Sequence, residues 1–194
     1  MSVFRAFIAV DLPAEIHRCL DQISAGYQEM LGDSPVRWVP AENIHLTLKF
    51  LGDVSVASTE MLTKILETMA SNHHTFEISI GGAGAFPNAR RPRVLWVGVE
   101  APPDLMSMQR SIDQETARMG YASEERPFSP HLTIGRVSRN APPRDIRAIG
   151  QALESKKVGF LGAARVKQVH LFRSDLKPGG AVYTKVFSAS LQER

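Results

Sequence analysis

Two short runs of the sequence repeat one arrangement of histidine and threonine. Each run reads histidine, apolar residue, threonine, apolar residue, which is typical of a strand whose successive side chains point to opposite faces. We therefore expect His45 to share a face with Thr47, and His131 to share a face with Thr133, while the apolar neighbours point into a core. The two runs are residues 44–48, IHLTL, and residues 130–134, PHLTI, and their histidines lie 86 positions apart.

Two such pairs facing each other across a groove suit a displacement at phosphorus. An imidazole titrates near neutral pH, so one ring can accept a proton from the attacking oxygen while the other donates one to the leaving oxygen. The threonine hydroxyls can hold the phosphoryl oxygens on which charge accumulates. This predicts His45 and His131 as the catalytic residues, Thr47 and Thr133 as substrate-binding residues, and a rate that is bell-shaped around neutral pH.

We expect no metal ion and no other cofactor in this chemistry. A zinc site needs at least a third ligand beside the two histidines, and the sequence contains no His-x-x-x-His and no Cys-x-x-Cys spacing. The single cysteine, Cys19, cannot form an internal disulfide, which fits a reducing compartment. The first residues are too alternating, and too soon interrupted by Asp11, to form a secretory signal, so the expected location is cytoplasmic.

Residues beside the two runs are weaker candidates for binding. Arg136 closes the second run and could bind the substrate phosphate, although strict alternation from His131 puts it on the opposite face of the strand. Lys49 shares the predicted face of His45 and could supply charge, or it protects a sheet edge. A further match at His73 is set aside, because its neighbour is polar and it lies where a helix is expected to pass into a strand.

Three other groups of residues have alternative interpretations. The glycine-rich residues 81–86 lack the lysine and hydroxyl residue of a P-loop, so they predict a turn rather than a phosphate site. Aromatic side chains that could stack on a base, or simply lie buried, are Trp38, Trp96 and Phe128. Arginines that could meet an RNA backbone are Arg90, Arg91 and Arg93.

The elements that must position the histidine runs are also repeated. A strand-like run leads into a proline and a helical stretch, first at residues 4–10 and Pro13, then at residues 94–99 and Pro103. Each helix is followed by a histidine run, a second helical stretch and a strand. These last strands are predicted at residues 76–80 and 166–172, and a final strand at residues 181–191 follows a turn at residues 177–180.

Charge is distributed unevenly along the chain. The net charge is +3, but residues 1–97 carry 8 Lys and Arg against 10 Asp and Glu, whereas residues 98–194 carry 15 against 10. Residues 136–177 alone hold 10 basic and 3 acidic side chains. If these side chains gather on one face they favour a polyanionic ligand, and if they scatter they form a solvated surface.

The sequence resembles the RNA 2',3'-cyclic phosphodiesterases, also called 2'-5' RNA ligases, of the two-histidine (2H) phosphoesterase superfamily. The resemblance covers most of the chain and includes both histidine motifs intact. The stretches that carry it are residues 7–13, 38–52, 92–98 and 128–136.

The resemblance implies an α+β fold in which a single bilobal domain, residues 1–194, is built from pseudo-symmetric halves of about 1–90 and 91–194. Each lobe would have an antiparallel-rich sheet with flanking helices, and the active-site cleft would lie between the lobes. The implied reaction is metal-independent opening of a 2',3'-cyclic phosphate to a 2'-phosphate, with His45 as proton donor and His131 as proton acceptor.

The implied partner is RNA with a 2',3'-cyclic phosphate end, including tRNA halves, acted on by a monomer that does not bind a membrane. Three alternatives stay open at this point. The same chemistry could join tRNA half-molecules through a 2'-5' bond, or it could hydrolyse a small cyclic-phosphate nucleotide. The third alternative, an RNA-binding module without activity, is disfavoured by the intact histidines and threonines.

Overall fold

The structure, a computed structural model, describes residues 2–178 and 180–193. These residues form nine β-strands, four α-helices and two 3-10 turns. The strands are β1 (Val3–Val10), β2 (Val36–Trp38), β3 (Leu46–Ser55), β4 (Phe76–Phe86), β5 (Val94–Glu100), β6 (His131–Val137), β7 (Phe160–Val166), β8 (Gln168–Lys177) and β9 (Gly180–Ser190). The helices are α1 (Ala14–Leu31), α2 (Thr59–Ala70), α3 (Pro103–Arg118) and α4 (Pro143–Ser155), and the 3-10 turns are Ala41–Asn43 and Val56–Ser58.

The strands form two sheets. Sheet I has the order β3-β1-β8-β9, and sheet II has the order β2-β6-β5-β4-β7. All seven pairings in these two sheets are antiparallel. The predicted α+β class with antiparallel sheets is confirmed.

The two sheets interlock the two halves of the sequence. Sheet I combines β1 and β3 with β8 and β9, and sheet II combines β2 and β4 with three strands from the second half. Helix α1 packs against sheet II strands β6 and β7, whereas α3 packs against β3 of sheet I. The predicted halves of about 1–90 and 91–194 follow one another along the sequence, but each sheet contains strands from both halves.

The apolar periodicity of the helices explains how they pack. In α1 the predicted buried face is confirmed at Ile16, Leu20 and Tyr27, which are 2%, 0% and 1% exposed. Met30, in the last turn of the same pattern, is half exposed. The proline expected at the helix starts directly precedes α1 at Pro13 and is the first residue of α3 at Pro103, where a missing amide hydrogen costs no helical hydrogen bond.

Two predicted elements differ in the structure. Residues 81–86 are not a turn but the second half of β4. There glycine permits close approach of other groups, since a Cβ on Gly81 would lie 2.7 Å from the carbonyl oxygen of Gly159, and one on Gly84 would collide with the ring of Trp96. The single strand expected at residues 166–172 is two strands, β7 and β8, which separate at Lys167.

The final strand is confirmed as β9, one residue earlier at each end than expected. The turn predicted before it includes Gly179, which lies outside the described residues. Strands β8 and β9 pair up to Lys177 opposite Gly180, so the chain reverses direction at the expected place.

Candidate active site

The two histidine motifs lie on strands that touch each other. His45 directly precedes β3, which is an edge strand of sheet I, and His131 is the first residue of β6 in sheet II. Strands β3 and β6 are in contact, so the two motifs lie on neighbouring strands of different sheets. The alternation within each motif is as predicted, because the histidines and threonines are partly exposed while the intervening side chains are buried. Those buried side chains are Leu46, Leu48, Leu132 and Ile134.

His45 lies in a cluster of aromatic side chains on sheet I, which we call the aromatic cluster. Its ring stacks on Phe7 with centroids 4.6 Å apart and 17° between the planes, and the edge contact with Tyr183 is 5.2 Å. Phe172 stacks on both rings, with centroids 5.1 Å from Phe7 and 5.7 Å from His45. Burial among these rings lowers the pKa of His45 from 6.5 to about 4, against the opposing influence of the Asn43 backbone and the Asp11 carboxylate. The ring is therefore neutral at neutral pH in the ligand-free protein.

His131 has a more open setting on sheet II. Its Nδ1 donates to the carbonyl oxygen of Ser129 at 2.7 Å, and its ring makes an edge contact with Phe86 at 4.9 Å. Burial, with a smaller effect from the positive charge of Arg136, lowers the pKa of His131, while the Ser129 carbonyl acts in the opposite direction. Because a carbonyl can only accept, the neutral ring carries its proton on Nδ1 and leaves Nε2 as a proton acceptor.

The surroundings of the two motifs share one detail. Each histidine interacts with the backbone of the residue two positions before it, Asn43 for His45 and Ser129 for His131. The hydroxyls of Thr47 and Thr133 make no hydrogen bond within the described ranges 2–178 and 180–193. Two oriented rings and two uncommitted hydroxyl donors are the groups that a phosphoryl transfer requires.

A bulge in sheet II corrects the predicted position of Arg136. The register of β5 and β6 shifts, so that Trp96 pairs with Thr133 but Val94 pairs with Arg136. Since alternate residues of β5 share a face, Arg136 lies on the same face as Thr133 and His131, and not on the opposite face as strict alternation indicated. Arg136 is exposed there.

A bulge in sheet I moves Lys49 the other way. Ala9 pairs with Thr47 and Ile8 pairs with Lys49, so Lys49 leaves the face of His45 and is buried at 5% exposure. Its Nζ donates to the carboxylate of Asp113 in α3 and to a carbonyl oxygen of the segment that follows α3. Lys49 is therefore neither a charge in the cleft nor a protector of the sheet edge.

The same bulge of β3 gives the cleft face an aromatic residue in place of Lys49. Phe50 pairs with Phe7, lies 6.2 Å from it between ring centroids, and is 65% exposed. An exposed aromatic side chain beside His45 offers a surface on which a base can stack. Alternation counted from His45 would have assigned Phe50 to the core face, so the sequence pattern missed it.

The aromatic residues singled out in the sequence have different positions. Trp96 lies beside Thr133 on the cleft face, where its ring contacts Phe86 at 5.3 Å and its indole nitrogen is buried without a hydrogen-bond partner in the described parts of the chain. Trp38 and Phe128 are partly buried against the core. Of the three, only Trp96 is placed beside a motif residue.

Several charged groups behind His45 were not predicted. Lys185 of β9 forms an ion pair with Asp11, and its Nζ lies 5.9 Å from the ring centroid of Phe172. His170 of β8 is buried, and its Nδ1 lies 2.8 Å from the hydroxyl of Ser188. Lys185 and His170 lie more than 120 positions from His45, so no local spacing could have indicated them.

The contacts of the other residues singled out in the sequence are with residues outside the two motifs. His73 follows α2, and its Nε2 lies 3.3 Å from the hydroxyl of Ser111 in α3. The backbone amides of Arg90 and Arg91 donate to the side chain of Asn88 in the turn between β4 and β5. Cys19 is a free thiol whose Sγ is 3.9 Å from the carbonyl oxygen of Leu161.

Two observations concern metals and membranes. Within residues 2–178 and 180–193, no three His, Cys, Asp or Glu side chains are grouped so that they could hold a metal ion. In the same part of the chain, the helices are too short or too polar to span a bilayer.

The sequence of this chain is similar to that of known proteins. The family model of the 2'-5' RNA ligase superfamily matches residues 13–178, a range that contains both histidine motifs. An RNA 2',3'-cyclic phosphodiesterase of Methanothermobacter thermautotrophicus is 39% identical over 180 residues, which cover 93% of this chain and 95% of the relative. The Escherichia coli K12 protein of the same name is 30% identical over 181 residues, 93% of this chain and 92% of the relative.

Solved structures show the same fold. A protein of Thermus thermophilus superposes with a TM-score of 0.81 at 26% identity, and Escherichia coli LigT in complex with 3'-AMP superposes with a TM-score of 0.78 at 27% identity. Each comparison covers 98% of this chain and 99% of the other. The expected resemblance is confirmed along nearly the whole length, and the chain belongs to the 2'-5' RNA ligase superfamily.

Proposed function

We propose that this protein hydrolyses the 2',3'-cyclic phosphate ends of RNA to 2'-phosphomonoesters by acid–base catalysis with His45 and His131, without a metal ion. The observation that supports the proposal is the position of the two histidine–threonine pairs at the start of β3 and of β6, two strands of different sheets that contact each other. The relatives named RNA 2',3'-cyclic phosphodiesterase support the choice of substrate.

In the proposed reaction a water molecule attacks phosphorus while the bond from phosphorus to O3' breaks. His131 Nε2, which the Ser129 carbonyl leaves free, takes the proton of the water. His45 gives a proton to O3', so the product is a 3'-hydroxyl beside a 2'-phosphate. The hydroxyls of Thr47 and Thr133 donate to the non-bridging oxygens of phosphorus, and the exposed Arg136 on the same face attracts the anionic substrate.

The low pKa of His45 places one requirement on this scheme. A ring with a pKa of about 4 is neutral at pH 7, whereas a proton donor must be charged. A cyclic phosphate carries one negative charge, and a negative charge beside an imidazole favours its protonated form. We therefore expect His45 to gain its proton when the substrate binds, helped by the nearby carboxylate of Asp11.

We also propose an oligomeric state, a location and a class of RNA ends for this activity. We expect a monomer acting in the cytoplasm on RNA ends that include tRNA halves. If the attacking group is the 5'-hydroxyl of a second RNA instead of water, the same bond changes produce a 2'-5' phosphodiester.

The test is an assay of purified protein with an oligoribonucleotide that ends in a 2',3'-cyclic phosphate, run with and without EDTA. The expected product carries a 2'-phosphate, and the rate is expected to be the same in chelator. A parallel reaction supplies a second oligoribonucleotide with a 5'-hydroxyl and measures joined product, and another uses a cyclic mononucleotide.

The outcomes separate the alternatives. Loss of activity in EDTA, with recovery on adding zinc or manganese, would contradict the metal-independent scheme. Turnover of the mononucleotide with no turnover of the oligoribonucleotide would identify a small-nucleotide hydrolase. Binding of RNA without any product would identify an RNA-binding module.

A further inference from the structure

Four arginines line one hollow beside the candidate active site. The hollow has a volume of about 740 Å³, and besides Val137 its lining consists of Arg37, Arg93, Arg136 and Arg139. All four arginines are exposed. We call it the arginine hollow.

The strand register holds two of these charges close together. Arg37 of β2 pairs directly with Arg136 of β6, and side chains directly opposite in an antiparallel pair have Cβ atoms roughly 5 Å apart. Like charges in that arrangement repel each other and destabilise the sheet.

Arg93 organises the third side of the hollow. Its Nη1 donates to the carbonyl oxygens of Ser138, at 2.8 Å, and Arg139, at 3.3 Å. These bonds tie the chain before β5 to the turn after β6. They hold the backbone of Arg139, whose side chain lines the hollow with the other three.

The four charges are not neutralised within the protein. In residues 2–178 and 180–193, the ion pairs use other cations, and none includes an arginine of the hollow. Several basic residues of the segment 136–177 do have acidic partners, since Arg165 pairs with Glu193 and Arg173 with Asp175. The hollow thus concentrates positive charge from three separate parts of the chain, and an anionic occupant would remove the repulsion.

The position of the hollow suggests which anion it binds. The Cα atom of Arg136 lies five residues beyond that of His131 on the same strand, about 16 Å away at roughly 3.3 Å per residue, although the charge of its long side chain still acts on the His131 ring. Both residues are on the same face of sheet II. A nucleotide whose cyclic phosphate lies at His131 does not extend that far, whereas the RNA chain leading to it does.

We propose that the arginine hollow binds the phosphodiester backbone of the RNA on the 5' side of the cyclic phosphate. The proposal rests on the proposed function, because it takes the reacting end of the RNA to lie at the two histidines. Guanidinium groups bind phosphate through paired, charge-assisted hydrogen bonds, so several arginines in one hollow suit adjacent phosphates of a single strand.

The test compares two double variants with equal loss of charge. Arg37→Gln/Arg139→Gln changes the hollow but leaves Arg136 and the structural bonds of Arg93 intact. Arg18→Gln/Arg110→Gln, on exposed positions of α1 and α3, is the matched control. The first measurement is the affinity for a fluorescent decaribonucleotide ending in a 2'-phosphate, by anisotropy at increasing KCl concentrations, which requires no turnover.

The hollow variant is expected to bind the decaribonucleotide about tenfold more weakly at low salt. Its plot of log Kd against log salt is expected to be shallower by about 1.4, or about 0.7 for each of two single-strand phosphates that the variant no longer neutralises. In the second measurement, kcat/KM for a cyclic mononucleotide is expected to stay within about twofold of the unmodified protein, because a mononucleotide does not reach the hollow.

Unchanged RNA affinity in the hollow variant, or an equal loss in the control, would overturn the proposal. An oligoglutamate peptide that binds as tightly as the RNA, and loses affinity in the same variant, would overturn it in favour of an acidic protein partner. Absence of turnover of an oligoribonucleotide that ends in a 2',3'-cyclic phosphate by the unmodified protein would refute the proposed function, and the anisotropy measurement would still decide whether the hollow binds RNA.

Discussion

At the residue scale, the two histidines have matching motifs but different surroundings. His45 is enclosed by Phe7, Phe172 and Tyr183, whereas His131 has one aromatic neighbour and a nearby arginine. Burial lowers both pKa values, and that of His45 falls to about 4. Burial thus favours the neutral form of both rings, whereas an acid–base pair requires one charged and one neutral group.

Replacing either histidine should remove most of the activity. We expect His45→Ala and His131→Ala each to lower kcat by at least about 100-fold, and the double variant to lose far less than the product of the two effects, because the two groups act in the same step. His74→Ala is the matched control, since His74 is exposed and outside the cleft. Near-normal activity of either single variant, with folding verified by circular dichroism, would contradict the mechanism.

The pH dependence should move away from the neutral optimum expected from the sequence. The pH dependence of kcat/KM reports the ligand-free protein, in which burial lowers the pKa of both histidines below 6.5, so molecules with one charged and one neutral imidazole become fewer as the pH rises above that value. We expect kcat/KM to be greatest on the acid side of pH 6.5 and to fall as pH rises, because the remaining imidazolium loses its proton. The maximum of kcat should lie at higher pH, since the bound phosphate stabilises imidazolium. A kcat/KM maximum above pH 7 would contradict this expectation.

The contribution of His45 to that profile can be separated from that of His131. Tyr183→Ser opens the aromatic cluster to water, so the pKa of His45 should rise toward 6.5 while the pKa of His131 stays unchanged. NMR titration of the imidazole resonances in the ligand-free protein measures both values directly. An equal shift of both histidines would show that Tyr183 does not act through burial of His45.

At the scale of the element, bulges decide which side chains enter the cleft. One bulge brings Arg136 onto the face of His131, and another removes Lys49 from the face of His45. Lys49 instead joins β3 to Asp113 of α3 and to the carbonyl of Ala122. Because the segment after α3 leads to His131, this buried lysine connects the strand of one motif to the approach of the other.

Removing this connection should destabilise the protein. Lys49→Met leaves the Asp113 carboxylate without its ion pair, and we expect the free energy of unfolding to fall by about 2 to 3 kcal/mol. The burial of Asp113 raises its pKa, but the bonds from Lys49 and the Glu124 amide outweigh that effect and lower it, which shows that the charged form is stabilised here. The measurement is urea unfolding, combined with hydrogen exchange of residues 121–130, which should become faster.

A matched control is available in α2. Lys64→Met removes an exposed lysine paired with Glu60, and such surface pairs contribute only about 0.5 kcal/mol. Equal destabilisation by Lys49→Met and Lys64→Met would show that burial of the Lys49 pair has no special effect.

At the scale of the whole molecule, the two halves of the chain depend on each other. Sheet I pairs β1 with β8, so its centre joins the first strand of the protein to one near the end. Sheet II pairs β4 with β5 and β7, and α1 rests on strands of the second half. The two halves of the sequence therefore share their sheets and do not form two independent domains.

This interlocking predicts how fragments behave. Residues 1–90 and 91–194, prepared separately, should each lack a cooperative thermal transition, because both sheets lose strands and each leaves apolar faces uncovered. Mixing the two fragments should restore a cooperative transition measured by circular dichroism. A cooperative transition in either isolated fragment would show that the sequence halves are independent folding units.

The sequence by itself determined the two motifs, the chemistry they suit, the family and the order of strands and helices. These features depend on local spacing, because side-chain alternation in a strand and the apolar period of a helix are readable within about ten residues. Only the tertiary structure decided on which face Arg136 and Lys49 lie, and it alone formed the aromatic cluster around His45 and the arginine hollow. A bulge displaces alternation by one residue through the partner strand, and strand pairing joins residues as distant as Phe7 and Phe172. Such contacts are set by the packing of the whole chain, which no local pattern encodes.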